Sequence, residues 1–185
     1  MADDLIFNER IMTVIEKATF NDIDELEALY NDLNDYFITT KNYPGWIKGV
    51  YPIRETAEQG IGEQTLFVLR IDGAIAGSII LNHHDEDAYH QVKWGFESDY
   101  SDVIVIHTLA VHPNFMKKGV ASKMMDFAKR YATEQGMKAI RLDTSVDNLP
   151  AITLYEKQGY RYVGTVDLGL NVPGLVWFRL YELVL

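Results

Sequence analysis

The residues His112-Pro-Asn-Phe-Met-Lys-Lys-Gly-Val-Ala-Ser122 join a strongly apolar segment to an amphipathic one. A loop that opens a helix leaves backbone N–H groups unpaired at the positive end of the helix dipole, an arrangement that binds anions such as a pyrophosphate. Gly119 lets a ligand approach the backbone closely. Val120 and Ala121 begin the helix, and Ala121 keeps its first turn thin. Lys117 and Lys118 add positive charge, and Ser122 offers a hydroxyl. The same residues also read as an ordinary strand-to-helix turn. The patterns G-x-x-x-x-G-K-[ST] and G-x-G-x-x-G are both absent, so neither a P-loop nor a dinucleotide fingerprint is present.

Further along, Asn148-Leu-Pro-Ala-Ile-Thr-Leu-Tyr-Glu-Lys-Gln-Gly-Tyr160 reads as a capped amphipathic helix with Leu154 and Tyr155 on its apolar side. His107 is a polar residue inside an otherwise apolar strand. An unperturbed imidazole titrates near pH ~6.5, which suits proton transfer, although many such residues are hydrogen-bonded core. His83, His84, Asp85, Glu86, Asp87 and His90 form a cluster with metal-ligand chemistry. Their spacing matches no helix-based site such as H-E-x-x-H, so a solvated loop is expected and no metal.

These residues need elements to position them. A first strand is expected over Met12–Lys17, then a helix from Asp22 to Ile38 capped by Asn21, with Ile23, Leu26, Leu29, Tyr30, Leu33 and Phe37 at helical spacing. A turn-rich aromatic stretch holds Tyr43, Trp46 and Tyr51, and a short helix covers Arg54–Gln59. Thr65–Ile71 and Ala74–Asn82 form a hairpin across Asp72-Gly73, a strong two-residue turn signal. The chain from His83 to Asp102 is polar and irregular. The stretch 102–112 is apolar on both alternating faces, as a central strand is. A helix over Gly119–Gln135, a strand over Ala139–Thr144, a helix from Asn148 to Gln158 and strands over Tyr160–Leu168 and Leu175–Val184 complete the chain. Hairpins mixed with strand-helix-strand units predict an α/β fold with a mixed sheet and helices on both faces.

Composition bounds the function. The 185 residues contain no cysteine, which removes disulfides, thiolate metal sites and cysteine nucleophiles. The start, MADDLIFNER, lacks the basic and apolar regions of a secretory signal, and no long apolar run predicts a membrane span. A cytoplasmic protein is expected, with residues 1–10 as an N-terminal extension and 11–185 as a single domain. Net charge is −10, which argues against nucleic acid as the partner. Yet seven basic and two acidic residues lie between Pro113 and Arg141, whereas the first 35 residues carry ten acids. A basic zone in an acidic chain suits a small polyanion, and it equally suits a solvated helix face.

LAVHPNFMKKGVASKMMDFA resembles the CoA-binding motif A of the GNAT acyl-CoA N-acyltransferase superfamily, and N-x-x-A-x-x-L-Y-E-K-x-G-Y resembles its motif B. The resemblance implies the GNAT fold, a mostly antiparallel mixed sheet splayed at the CoA site. It implies acetyl-CoA as co-substrate, an amine acceptor, and direct attack through a tetrahedral intermediate. Backbone groups of Leu109, Ala110 and Val111 would pair with the pantetheine arm. The N–H groups of Lys117 to Ser122 would hold the pyrophosphate, and Asn148 would reach the CoA. Tyr155 matches the family's general acid, and Asp143 sits where some members have a glutamate base, with a structural acceptor as its other reading. Tyr43, Trp46 and Tyr51 would form one wall of the acceptor site or pack locally. The acidic balance favours a cationic amine: a polyamine, an aminoglycoside, an amino acid or a protein amine. Some similar proteins pair their last strands across a homodimer.

One departure stands out. The family's phosphate loop is usually written Q/R-x-x-G-x-G/A, and aligning Gly119 and Ala121 places Met116 at the Gln/Arg position. That predicts weaker CoA binding, with Lys117 and Lys118 compensating. It motivates a second reading, a module that binds acyl-CoA without turnover. A domain that binds another phosphorylated ligand, such as a nucleotide, is a third.

Overall fold

The computed structural model describes residues 12–185, so the extension predicted over 1–10 lies outside the described residues. Strand β1 (Thr13–Lys17) leads through a 3-10 turn into helix α1 (Ile23–Thr39), and helix α2 (Arg54–Gly62) follows the aromatic stretch. Asn21 is not the cap. Thr19 begins the turn instead, with Asp22 Oδ2 accepting from the Thr19 backbone N–H at 2.8 Å. Asp22 also takes Arg70, which binds Glu16 and Glu25 as well and ties the helix start to the first three strands.

Strands β2 (Leu66–Ile71) and β3 (Ala74–Asn82) form the expected hairpin. Asp72 and Gly73 have φ of 50° and 88°, the two left-handed central positions of a type I′ turn. Strand β4 (Val103–Val111), helix α3 (Val120–Glu134), strand β5 (Ala139–Ser145) and helix α4 (Leu149–Lys157) carry the two motifs. Strands β6 (Arg161–Val172) and β7 (Leu175–Val184) close the chain as a long hairpin.

The seven strands make one sheet in the order β1-β2-β3-β4-β5-β7-β6. Only β4 and β5 run parallel, because α3 carries the chain back between them. Helices α3 and α4 cover one face through Met124, Met125, Ala128, Ile152 and Tyr155. Helices α1 and α2 cover the other face at its β1–β4 end.

The segment between β3 and β4 is not the solvated loop expected from its polarity. It covers the β4–β7 part of that second face, burying Ala88, Tyr89 and Tyr100. Arg141 explains the difference. Its guanidinium is 1% exposed, pairs with Glu182 at 3.1 Å, and lies 4.2 Å from the Trp94 ring centroid and 4.7 Å from that of Tyr100. It also donates to the Phe96 carbonyl, while Glu182 accepts from the Gly95 N–H at 2.7 Å. A buried charge must be paired, and here the pairing fastens the segment to the sheet. Arg141 is therefore no part of a basic surface for a polyanion.

Candidate active site

The β4–α3 loop has two left-handed residues, Lys117 (φ 60°) and Gly119 (φ 77°). Such alternation turns successive N–H groups toward one concavity. The first hydrogen bond closing α3 runs from Lys123 N–H to Gly119 C=O at 3.0 Å. The N–H groups of residues 119–122 thus donate to no carbonyl among the described residues. Gly119, Val120, Ala121 and Ser122 line one large cavity together with Lys117. Lys118 is not in that lining. Its ammonium lies 5.2 Å from the Phe115 ring centroid. Met116 is partly buried and packs against the α1/α2 core. His112 steadies the loop: Nδ1 accepts from Asn114 N–H at 3.1 Å, and Nε2 faces Asp32 on α1 at 3.2 Å.

The cavity follows the gap between β4 and β5. These strands pair from Val103/Ala139 to Ile106/Leu142 and then part. Beyond Ile106, β4 keeps only its β3 partner, so one backbone edge of residues 107–111 is free. A bulge marks the parting: Ser78 and Ile80 of β3 oppose Ala110 and His107, so β4 carries one extra residue. Thr108 there adopts φ 48°, unusual for a β-branched residue. Its hydroxyl is hydrogen-bonded to that of Tyr51, which reaches across from the α1–α2 connection. Leu109 and Val111 line the cavity, whereas the Ala110 side chain is buried under α1 and α2.

Asp143 points into the same space from β5, where the cavity has a volume of about 1060 Å³. Burial raises its pKa. The Tyr89 hydroxyl, which donates to Oδ2 at 2.7 Å, and His107 pull it down, while Glu86 pushes it up. His107 and Glu86 line the cavity beside it. His107 Nε2 donates to the His84 carbonyl at 3.0 Å. A carbonyl only accepts, so Nε2 holds the proton and Nδ1 is the basic nitrogen. Tyr155 enters from α4. Burial first, then the Asp143 charge, hold its phenol strongly toward the protonated form. Its hydroxyl has no hydrogen-bond partner among the described residues. Asn148 lines the cavity and caps α4, its Oδ1 accepting from Ala151 N–H at 3.4 Å.

A model of the acetyltransferase (GNAT) family matches residues 26–160. The chain belongs to this GNAT family. Streptothricin acetyltransferase from Escherichia coli is 32% identical over 97 residues, 52% of this chain and 52% of that protein. An uncharacterised N-acetyltransferase from Bacillus subtilis is 36% identical over 72 residues, 38% of this chain and 48% of that protein. The chain thus spans about half the length of these curated relatives, 52% and 48%. An N-alpha-acetyltransferase from Saccharolobus solfataricus is 23% identical over 155 residues, with 80% of each chain covered. A GNAT-family acetyltransferase structure from Streptococcus agalactiae superposes with a TM-score of 0.75 at 20% identity, covering 94% of this chain and 95% of that one. The S18-alanine N-acetyltransferase structure from E. coli gives 0.69 at 16% identity, covering 94% of both. These two likenesses establish the GNAT fold.

In this GNAT chain, Tyr43, Trp46 and Tyr51 all line the cavity. Trp46 meets Tyr51 edge-on at 5.7 Å and Phe37 at 6.3 Å. Leu168, Leu170, Val172 and Leu175 of the β6–β7 hairpin form the facing wall. Glu86, Tyr89 and Thr108 were not legible as site residues. Glu86 sits in a segment that reads as solvated, and Tyr89 acts on a partner 54 positions away. For Thr108 the sequence holds no signal, because its bulge exists only where β4 leaves β5. Among the described residues, no group of three or more His, Asp or Glu side chains could hold a metal ion. In the histidine cluster, His83 Nδ1 donates to the Val103 carbonyl at 2.7 Å, and His90 faces Asp85 at 2.9 Å. No helix among the described residues is long and apolar enough to cross a membrane.

Proposed function

We propose that this protein is an N-acetyltransferase that moves the acetyl group of acetyl-CoA to a primary amine. The Tyr155 hydroxyl carries this reading. Its side chain is 6% exposed, the hydroxyl is unpaired, and it shares one cavity with the free N–H groups of α3 and the free edge of β4. A protonated phenol there can give its proton to a departing thiolate.

Acetyl-CoA supplies an acyl group activated as a thioester. The N–H groups of residues 119–122, with Lys117, would hold its pyrophosphate, and the free edge of Leu109–Val111 would pair with the pantetheine arm as an added strand. A backbone N–H beside the bulge, near Leu109, serves the oxyanion. Asp143 accepts the proton that the amine must lose before it can attack, with His107 Nδ1 as a neighbouring acceptor. A C–N bond forms, the C–S bond breaks, and the Tyr155 proton passes to sulfur; the second proton, which the nitrogen sheds on becoming an amide, restores the Tyr155 phenol.

The test is acetyl-CoA-dependent thiol release across an amine panel containing polyamines, aminoglycosides, amino acids and peptides. Streptothricin and peptide N-termini belong in it, given the names of two relatives. Transfer to a panel member that collapses in Tyr155→Phe supports the reading. Tight CoA binding without transfer to any amine overturns it, and favours the module without turnover that Met116 suggests.

A further inference from the structure

The cavity is electrically divided. Lys117 lies at the phosphate end, and the carboxylates in the lining are Glu86 and Asp143 at the other. The remaining lysine in the lining, Lys41, lies 4.7 Å from the Tyr43 ring centroid. Nearby acids of α1 already have partners: Asp35 takes Lys48 at 2.6 Å, and Asp32 faces His112. Glu86 differs. Its carboxylate accepts no hydrogen bond and meets no cation among the described residues. Its negative charge is nonetheless felt at Tyr51, Tyr89 and Asp143, which puts it beside the reacting end. Tyr155, 6% exposed as a residue, opens on the same cavity and makes no side-chain hydrogen bond among the described residues.

A carboxylate lining a cavity attracts a counter-charge, the more so when a ligand displaces the water around it. Asp143 can obtain one transiently, by taking the proton of the reacting ammonium. Glu86 gains nothing lasting from that ammonium, because the amide product is neutral. Only a second positive charge on the acceptor pairs Glu86 before and after transfer. Trp46 and Tyr51 line the same cavity, and an aromatic ring there adds attraction for a cation. A carboxylate next to the amine would instead meet Glu86 with like charge.

We propose that Glu86 is the acceptor-selecting residue, binding a second ammonium or guanidinium on a di- or polycationic amine substrate. This rests on the acetyltransferase reading above.

The experiment compares matched acceptors, n-alkylamines against α,ω-diaminoalkanes of three to six carbons, with wild-type protein, Glu86→Gln, Glu86→Asp and Asp87→Asn. The expected wild-type kcat/KM favours the best diamine over its matched monoamine by about tenfold or more, the scale of one partly screened ion pair. Glu86→Gln should bring that ratio to about one, Glu86→Asp should retain part of it, and Asp87→Asn, an exposed neighbour outside the cavity, should leave it in place. Equal wild-type rates for the two series, or a ratio that survives Glu86→Gln, overturns the proposal. If no acceptor is turned over, calorimetric binding of the same amines to the CoA-loaded protein decides separately. A diamine preference lost in Glu86→Gln upholds the selecting role while the transferase reading fails, and no preference rejects both.

Discussion

Tyr89 donates its hydroxyl to Asp143 Oδ2 at 2.7 Å, from a segment that the Arg141–Glu182 pair fastens to the sheet. The acid that faces the cavity is thus tuned by a residue that does not line it. Burial pushes the Asp143 pKa up, and the Tyr89 hydrogen bond holds it down by stabilising the carboxylate.

Tyr89→Phe therefore raises the Asp143 pKa further. The acidic limb of the kcat/KM profile should move to higher pH, and activity near neutrality should fall. A limb that stays in place while only the maximum drops would show that Asp143 is not the group being titrated.

The same raised pKa has a sign for stability. The native state binds the proton more tightly than the unfolded chain, so Asp143 favours folding at low pH. That contribution is lost as pH climbs from the ordinary carboxylate value through the raised native one. Asp143→Asn should leave the urea midpoint at pH 7 unchanged or higher while sharply lowering kcat. A loss of stability at pH 7 would contradict it.

Tyr155→Phe removes a hydroxyl that has no hydrogen-bond partner among the described residues. The fold should not notice, and the thermal midpoint should hold. The rate should fall by about 10²-fold or more, the usual worth of a positioned general acid, with the affinity for CoA intact. Stopped-flow thiol release and CoA calorimetry separate the two effects.

Gly119→Ala places a Cβ at φ 77° with no atom within 4 Å to clash. The cost is conformational, about 1 kcal/mol, together with a methyl group beside the unpaired N–H groups. KM for acetyl-CoA should rise while the acceptor KM changes little.

Arg141 and Glu182 are 1% and 4% exposed. Removing one alone, as in Glu182→Leu or Arg141→Met, leaves a buried charge and should cost about 3–5 kcal/mol. The double substitution Arg141→Met with Glu182→Leu should recover much of that loss. Urea unfolding of the three variants measures the coupling.

Features set by neighbours in the chain were legible without coordinates. The Asp72-Gly73 turn, the Asn148 cap of α4 and the apolar stripe of α3 each depend on residues a few positions apart, where dihedral preference and helical period decide the outcome. So did the placement of Gly119 at a helix start. Arg141 shows the limit. As sequence, Arg141 is one more basic residue, and its burial depends on Glu182 from β7 and on Trp94 and Tyr100 from the β3–β4 segment. Asn21 lost the cap to a local pattern instead, the Thr19–Asp22 box three positions apart.

The sequence alone determined the family resemblance, the mixed sheet with helices on both faces, and the helix start at Gly119–Ser122, because short-range patterns encode each of them. Only the tertiary structure decided which residues surround the cavity. The parting of β4 from β5, the Thr108 bulge under Tyr51, the Tyr89–Asp143 hydrogen bond and the placing of Glu86 in one cavity with Asp143 all join positions far apart in the chain. Contacts of that kind arise from packing one sheet face against another segment, and no local spacing records them.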